Sequence, residues 1–578
     1  MTTTSVRRRA ELALAELDLD RLALPGLAIA ALASGLLIYH LTRGSSFSPD
    51  DWIWIDTRRG DSVGTFLSPY NGHLSLVPIA IYRLMFALFG IGSFAPYRVL
   101  LLVIASVAGV VLFEYSRHRI GAFCALLVTT LLLFLGPGWN DIMQPFQIAW
   151  LLAVAAGVLA LSLLDRRRTA TDVSACVLIL ISLSSTSVGV ALAVGIAVDV
   201  ALSRRRWRDA WIVAVPLALY AGWAVHYHPS EIHLSALTSA PINLVQTTTA
   251  GVAGLLGLSG VTPADVTGVS LTFGVPLLAF AVAAVILRTA SGLHYTRCLS
   301  LAAALVTFSL LTTLVRYFQS PFSSRYMYVT CVLVALIAVE LASGITVSRR
   351  AQAALGALTV IVVVANIAVL RSGGSSFRQA GAQTDATLGA VQLDRGRVDP
   401  RTPLTQLPLY PITVVTAGQY LTAAHALGSP ADTTEQLLHA GPAAQASADA
   451  QLTADGDIAL VPATAAVAGS GAPAVVSAAG GTVARSGGCA TFTPAASSSS
   501  GATSTITVRV SAGAIRISTG RAPATIAARR FAPSFAALGT VRARGAAVVS
   551  VRGDAAPEPW YIQLATVAGI RACRAGAG

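Results

Sequence analysis

The sequence predicts a mainly α, polytopic transmembrane helical bundle of about eleven spans, followed by an extracytoplasmic α/β region that ends in a small β-sandwich. Three observations lead there. Hydrophobic residues make up 54% of the 578-residue chain and charged residues only 12%, whereas a soluble domain carries about 25% charged residues. Apolar runs recur as far as residue 370, with arginine clusters placed between alternate runs. Beyond Arg371 the composition turns to Ala, Gly, Ser, Thr and Pro, and short alternating apolar runs appear near the end.

The net charge of +13 does not point to nucleic acid. All 40 basic residues are Arg, a skew that matches the Ala and Gly excess of a GC-rich coding sequence. The absence of Lys excludes a Schiff-base lysine and a Walker A lysine. Residues 1–21 read as a cytoplasmic N-terminus marked by Arg7, Arg8 and Arg9. The first apolar run, Leu22 to Leu41, is long enough to span and lacks a small-residue cleavage site, so it reads as an anchor.

A transmembrane region over 22–371 follows from the same rule. Val99 to Phe113 returns to Arg117-His118-Arg119, and Ile120 to Leu135 with Ile148 to Leu164 forms a hairpin ending on Arg166-Arg167-Arg168. Val173 to Leu202 has cytoplasmic charge at both ends, which one span cannot satisfy, so it reads as two short spans turning at Ser184-Ser185-Thr186-Ser187. Trp211 to Val225, Leu271 to Leu287, Leu299 to Val315, Tyr328 to Leu341 and Ala354 to Leu370 complete the count and put the C-terminus outside. Leu74 to Phe94 is also long and apolar, but counting it would invert every later segment. Arg83 interrupts it, and it is expected to lie in the outer interface.

After the last span, 372–486 reads as an extracytoplasmic linker and helical region. Thr416 to Leu427 and Thr433 to Leu452 are the helical stretches, the second broken at Gly441-Pro442. Residues 487–578 read as the β-sandwich, from runs such as Thr505 to Val510 and Val548 to Val551, with a Ser-rich loop over 496–504. Cys124, Cys176, Cys298 and Cys331 fall in or beside spans, as small apolar residues do. Cys489 and Cys573 bracket the β region, and an oxidising exterior would join them.

Chemistry concentrates in the outer loops. Between Arg43 and Ser75 lie Asp50, Asp51, Asp56 and Asp61, in the setting Phe47-Ser-Pro-Asp-Asp-Trp-Ile-Trp54. A carboxylate held near the lipid surface suits a general base toward a hydroxyl, with the two Trp side chains in the headgroup layer. A solvated acidic loop with an aromatic anchor explains the same residues. Asp141, in Gly136-Pro-Gly-Trp-Asn-Asp-Ile-Met-Gln-Pro-Phe-Gln147, either places an acceptor, joins the first acids around a divalent cation, or caps the helix that follows. Arg316 and Arg325 flank the loop Tyr317-Phe-Gln-Ser-Pro-Phe-Ser-Ser-Arg-Tyr326, and the planar guanidinium fork suits phosphate oxygens; snorkelling or carboxylate pairing is the plainer role. His73 ends the first outer loop after Asn71-Gly72, either assisting a phosphate or merely following a turn. Arg83 and Arg98 are further basic residues at outer ends that need partners. His226, His228, Glu231 and His233 cluster without a standard zinc spacing.

On these residues the chain is similar to the GT-C superfamily of integral-membrane glycosyltransferases. The resemblance rests on the Asp50-Asp51 pair soon after span one, the second acidic outer loop, about eleven spans and an external C-terminal domain. Phe322-Ser-Ser-Arg-Tyr-Met-Tyr328 resembles an Arg-Tyr element before a late span in actinobacterial members. The resemblance implies a polyprenyl-phosphate sugar donor and an extracytoplasmic glycan, lipid or protein acceptor, at the plasma membrane among its lipids. Asp50 or Asp51 would deprotonate the acceptor hydroxyl, Arg325 with Arg316 and His73 would hold the leaving phosphate, and Asp141 would place acceptor or cation. It also implies a glycan-binding role for the sandwich, with Arg529, Arg530 and Trp560 either lining a sugar site or serving structure. A flippase for lipid-linked glycan, or a non-catalytic scaffold, would share much of this sequence pattern. Against the flippase stand the lack of an internal repeat and the sparse intramembrane charge of Asp199 and Glu340.

Overall fold

The computed structural model describes residues 20–575 apart from 167, 204–205, 230–231, 261–265, 291–295, 318, 321, 410–412, 464–471, 496–502 and 555. The N-terminal arginines, Arg167, Arg204, Arg205, Glu231 and most of the Ser-rich stretch therefore lie outside the described residues. Two compact units form. The first comprises residues up to Arg43, Arg58–Leu88 and Ala95–Phe377; the second comprises Gly44–Thr57, Phe89–Phe94 and Arg378–Gly578.

In chain order the helices are α1 (Ala23–Leu41), α2 (Pro49–Thr57), α3 (Val63–Leu67), α4 (Leu76–Phe89), α5 (Ala95–Ile120), α6 (Ala122–Leu133), α7 (Trp139–Met143), α8 (Ile148–Leu164), α9 (Thr169–Leu183) and α10 (Val188–Leu202). They continue with α11 (Arg206–Asp209), α12 (Trp211–Tyr227), α13 (Ala240–Leu255), α14 (Val266–Ala290), α15 (Thr296–Val315), α16 (Ser324–Leu341) and α17 (Arg349–Leu393). Among the described residues six helices are long and apolar enough to cross a membrane, or seven if α6 and the segment Gly136–Met143, bent by 48°, count as one broken span. The chain is a multi-pass membrane protein. Its helices turn apolar side chains outward, as Ile29 (68% exposed) and Ile361 (66% exposed) show, which suits lipid and not water.

The expected turn at Ser184 to Ser187 is the break between α9 and α10. Helix α4 falls inside the Leu74 to Phe94 run; its 14 residues reach about 21 Å, short of a hydrocarbon core of about 30 Å. One helix was not expected. Helix α13 occupies a stretch that reads as outer loop, and it packs through Thr247, Thr249, Ala250, Gly251, Ala253 and Gly254. Small side chains let backbones approach, which is how weakly apolar helices associate in lipid. A Cβ on Gly254 would meet Pro137 Cγ at 2.9 Å, and one on Gly251 would meet Thr330 Cγ2 at 2.9 Å.

Hydroxyls bond across the bundle, with Ser34 donating to the Leu133 carbonyl at 2.6 Å, Ser182 to Ala153 at 2.8 Å and Ser300 to Gly195 at 2.7 Å. The helix-end charges are paired. Arg297 meets Asp165 at 2.6 Å and Asp199 at 3.4 Å, and Arg119 meets Asp165 at 3.0 Å and also Glu340.

The second unit holds the C-terminal domain. Strands β1 (Pro403–Leu409) and β2 (Thr413–Thr416) pair, and α18 (Ala417–Leu427), α19 (Thr434–His439) and α20 (Pro442–Ala454) follow. Thr416 and Thr433 each open a helix with a capping box, closed by Gln419 and Gln436, and the break at Gly441-Pro442 separates α19 from α20. Eleven further strands build two antiparallel sheets: β3 (Ile458–Pro462), β4 (Ala474–Ala479), β5 (Gly481–Ser486), β6 (Cys489–Pro494), β7 (Ser504–Val510), β8 (Gly513–Thr519), β9 (Ala524–Arg529), β10 (Ala536–Val541), β11 (Ala546–Val551), β12 (Trp560–Thr566) and β13 (Ile570–Ala575). One sheet runs β10-β9-β12-β7-β4 and the other β3-β11-β8-β13-β6-β5, so three strands of the sheets precede residue 487. Alternation places Ile515, Ile517, Val549, Ile562 and Leu564 in the shared core. Cys489 and Cys573 are direct partners across β6 and β13 and are joined as a disulfide.

Candidate phosphate site and acidic helix

In the first unit, Asn71 and Gly72 both take positive φ (48° and 78°). That two-residue turn lets Tyr70 and His73 exchange backbone hydrogen bonds of 3.0 and 2.8 Å, the geometry an Asn-Gly pair favours. The turn thus fixes His73 as well as reversing the chain. Arg316, just past the end of α15, donates to the Asn71 carbonyl, and its Nη2 lies 3.4 Å from His73 Nε2. With Arg316 donating to Nε2, the imidazole proton resides on Nδ1, which is enclosed and has no hydrogen-bond partner among the described residues. Burial first, then Arg316 and Arg325, push the His73 pKa down to about 3, so the ring is neutral at pH 7.

Arg325, in the first turn of α16, also acts electrostatically on Asp141. Asp141 is fully buried in α7, and neither carboxylate oxygen has a hydrogen-bond partner among the described residues. It sits there because the chain bends at Gly136-Pro137-Gly138. The Gly136 amide donates to Asn366 Oδ1 at 2.9 Å, and a Cβ on Gly136 would strike that oxygen at 2.8 Å. Asn140, the neighbour, is held by Ser324 Oγ (3.0 Å from its amide nitrogen) and by Gln147 (3.1 Å). Tyr326 feels Arg325, Arg316 and Asp141 together, and its hydroxyl donates to Gln319. His73, Arg316, Arg325 and Asp141 are therefore brought together. Tyr326 and Gln319 join them, and only Tyr326 stood out in the sequence.

Asp50 and Asp51 belong to the second unit, in the first turn of α2. Asp51 is fully buried and accepts from the Ser48 amide at 2.8 Å and the Ser48 hydroxyl at 2.6 Å, a capping arrangement with Pro49 at the first helical position. Asp50 is 7% exposed. Asp56 accepts from Gln419 Nε2 at 2.7 Å, and the Ser46 hydroxyl bonds Asp385. Trp52 and Trp54 are wholly buried, Trp52 edge-on to Tyr420 at 5.6 Å, so they are packing residues and not headgroup anchors. Burial raises Asp385, beyond the apolar part of α17, to about 8.

Other candidates resolve as structure. Arg83 pairs with Asp61 at 2.5 Å, and Arg98 is buried against Thr42 Oγ1 at 2.9 Å with its guanidinium over the Tyr39 ring. Of the two roles open to Arg530 and Trp560, the structure shows the structural one. Both side chains are buried: Arg530 forms a bidentate pair with Asp554 (2.5 and 2.7 Å), and the Trp560 indole donates to Asp457 at 2.8 Å. Arg529 is half-buried and stacked between Phe535 (5.1 Å) and Tyr561 (5.0 Å). Glu231 of the histidine-rich cluster is outside the described residues. Among the described residues no three His, Cys, Asp or Glu side chains converge as metal ligands.

No protein-family model matches the chain, and no curated protein does. Among solved structures, it is similar to the crystal structure of ArnT from Cupriavidus metallidurans bound to undecaprenyl phosphate. The identity is 14% and the TM-score 0.43, over 70% of this chain and 85% of that one.

Proposed function

We propose that this protein is a GT-C-type glycosyltransferase that moves a sugar from a polyprenyl-phosphate donor to an extracytoplasmic acceptor, with the donor phosphate bound by Arg316, Arg325 and the Nδ1–H of His73. The observation that supports it is the combination of two guanidinium groups with a neutral histidine whose enclosed N–H lacks an acceptor among the described residues. A phosphate oxygen supplies that acceptor. In the transfer, the acceptor oxygen bonds to the anomeric carbon as the carbon–oxygen bond to phosphate breaks. Negative charge then grows on the leaving phosphate, where guanidinium groups stabilise the transition state more than the ground state.

Asp51 is occupied in capping α2 through Ser48, so the base role is assigned to Asp50 on chemical grounds. Asp141 is assigned to placing the acceptor. The N-terminus is assigned to the cytoplasm and the C-terminal domain to the outside, from the arginine pattern. Pairing of Asp199 and Glu340 with arginines gives no support to a flippase reading.

The test is transfer of labelled sugar from a panel of polyprenyl-phosphate donors in membranes. Wild type should consume at least one donor, and Arg325→Gln, Arg316→Gln and Asp50→Asn should each lower the rate by about 100-fold or more. Absence of donor consumption by wild type across the panel sinks the enzyme reading.

A further inference from the structure

Charge is distributed unevenly over the C-terminal sandwich. From Ile458 to Gly553 the chain contains no Asp or Glu, yet it contains nine arginines. The acids that serve this domain gather at one end of the six-stranded sheet: Asp457 immediately precedes β3, and Asp554 follows β11 where Val551 pairs with Ile458. Arg530 is neutralised there, between Asp457 and Asp554.

The opposite end is basic. Strand β8 ends at Thr519, beside Ile570 of β13 and next to the start of β11, where Ala546 pairs with Ser518. Around that point Gly520 accepts from the Arg544 amide at 2.7 Å, and the Gly520 amide donates to Gly569 at 2.9 Å. Thr519 Oγ1 donates to the Arg542 carbonyl at 2.5 Å. These bonds gather Arg521, Arg542 and Arg544, while Arg571 stands opposite Ser518 on the neighbouring strand. All four side chains are exposed, and among the described residues none meets a carboxylate. Arg544 holds φ at 54°, a conformation that Gly or Asn would adopt more easily.

We propose that this end of the sandwich binds a polyanionic chain carrying repeated phosphate or carboxylate groups. The arginines lie on β13 and on the turns that follow β8 and precede β11, and these three strands are neighbours about 4.8 Å apart, so successive anionic groups of one flexible chain meet successive guanidinium forks. An anionic bilayer is the less fitting occupant. The turns at 520–523, 542–545 and 567–569 contain no aromatic residue, and Val567 is their one exposed large apolar side chain. The site is independent of the transfer chemistry.

The test uses the full chain in nanodiscs of neutral lipid, with fluorescent inorganic polyphosphate and polygalacturonate as probes and dextran as the uncharged control. Binding of at least one charged probe at about 150 mM salt, weakening as salt rises, is expected. The Arg521→Gln/Arg542→Gln/Arg544→Gln/Arg571→Gln variant should lose roughly tenfold or more in affinity, from four surface pairs. Arg509→Gln, in the other sheet opposite Tyr561, should bind as wild type, and unchanged melting of both variants shows that each is folded. The proposal is overturned if neither charged probe binds, if dextran binds equally, or if the quadruple variant keeps its affinity. Capture of anionic phosphatidylglycerol vesicles without binding of either soluble chain overturns it as well.

Discussion

Replacing Gln419 by Glu tests whether the C-terminal domain holds the acidic helix in place. Gln419 is bound on both sides: its Oε1 accepts from the Thr416 amide at 2.8 Å, and its Nε2 donates to Asp56 Oδ2 at 2.7 Å. Glutamate is itself a good residue at this capping-box position, where the helix dipole favours negative charge. The substitution is therefore neutral or slightly favourable for α18 considered alone. Its effect on Asp56 is the reverse, because a donor is replaced by a like charge. A hydrogen bond to a charged group contributes about 1.5–3 kcal/mol. Both side chains are only partly buried, so solvent screening limits the added repulsion, and about 2 kcal/mol is the expected total. The readout is amide hydrogen exchange across Asp51 to Thr57, which should quicken by roughly 30-fold in Gln419→Glu. Adding Asp56→Asn restores a donor opposite the new carboxylate and should recover most of the protection. Unchanged exchange in the single variant, or a double variant no better than the single, refutes the reasoning.

Three further outcomes follow from the same geometry. Asp385 has a folded pKa of about 8, so between about pH 4 and 8 the folded state keeps a proton that the unfolded chain has lost. Stability should fall as pH rises through that window, and thermal melts of Asp385→Asn should show a flatter pH dependence. Removing the Cys489–Cys573 bond, which closes a sequence separation of 84, by the double Ser variant should cost about 2–4 kcal/mol, read as a lower melting temperature of the wild type in reductant but no reductant effect in the variant. Gly254→Val should destabilise the bundle by about 1–3 kcal/mol through overpacking against Pro137, whereas Gly222→Val, with open space around it, should leave melting nearly unchanged.

What the sequence makes legible here divides by range of interaction. The α9–α10 break, the helix starts at Thr416 and Thr433 and the Asn-Gly turn are set by residues within about four positions of each other, and the sequence displays each of them. The acids of the first outer loop look equivalent in sequence, yet their partners lie at very different distances along the chain. Asp51 is engaged by Ser48 three residues away, whereas Asp56 meets Gln419, 363 residues on, and Ser46 meets Asp385, 339 residues on. No local pattern encodes those pairings. Apparent solvation of an acidic loop is thus a weak inference when the fold brings distant donors to it.

Burial misleads in the same direction. Trp52 and Trp54 carry the composition of interfacial anchors, and Arg530 and Trp560 that of a sugar platform, but all four are enclosed by residues remote in sequence. Helix α13 escaped for the opposite reason, because its packing depends on small residues that lower its hydropathy. The four residues that the bundle does bring together, His73, Arg316, Arg325 and Asp141, share one property that sequence displayed plainly: each is ionisable and adjoins a break between apolar runs. Such positions are expensive to desolvate, so in a membrane protein an ionisable group that the fold leaves unpartnered is a better guide to chemistry than one it pairs. By that criterion the enclosed Nδ1 of His73 and the carboxylate of Asp141, neither with a hydrogen-bond partner among the described residues, are the firmer candidates for chemistry, whereas Asp51 is occupied in capping its helix.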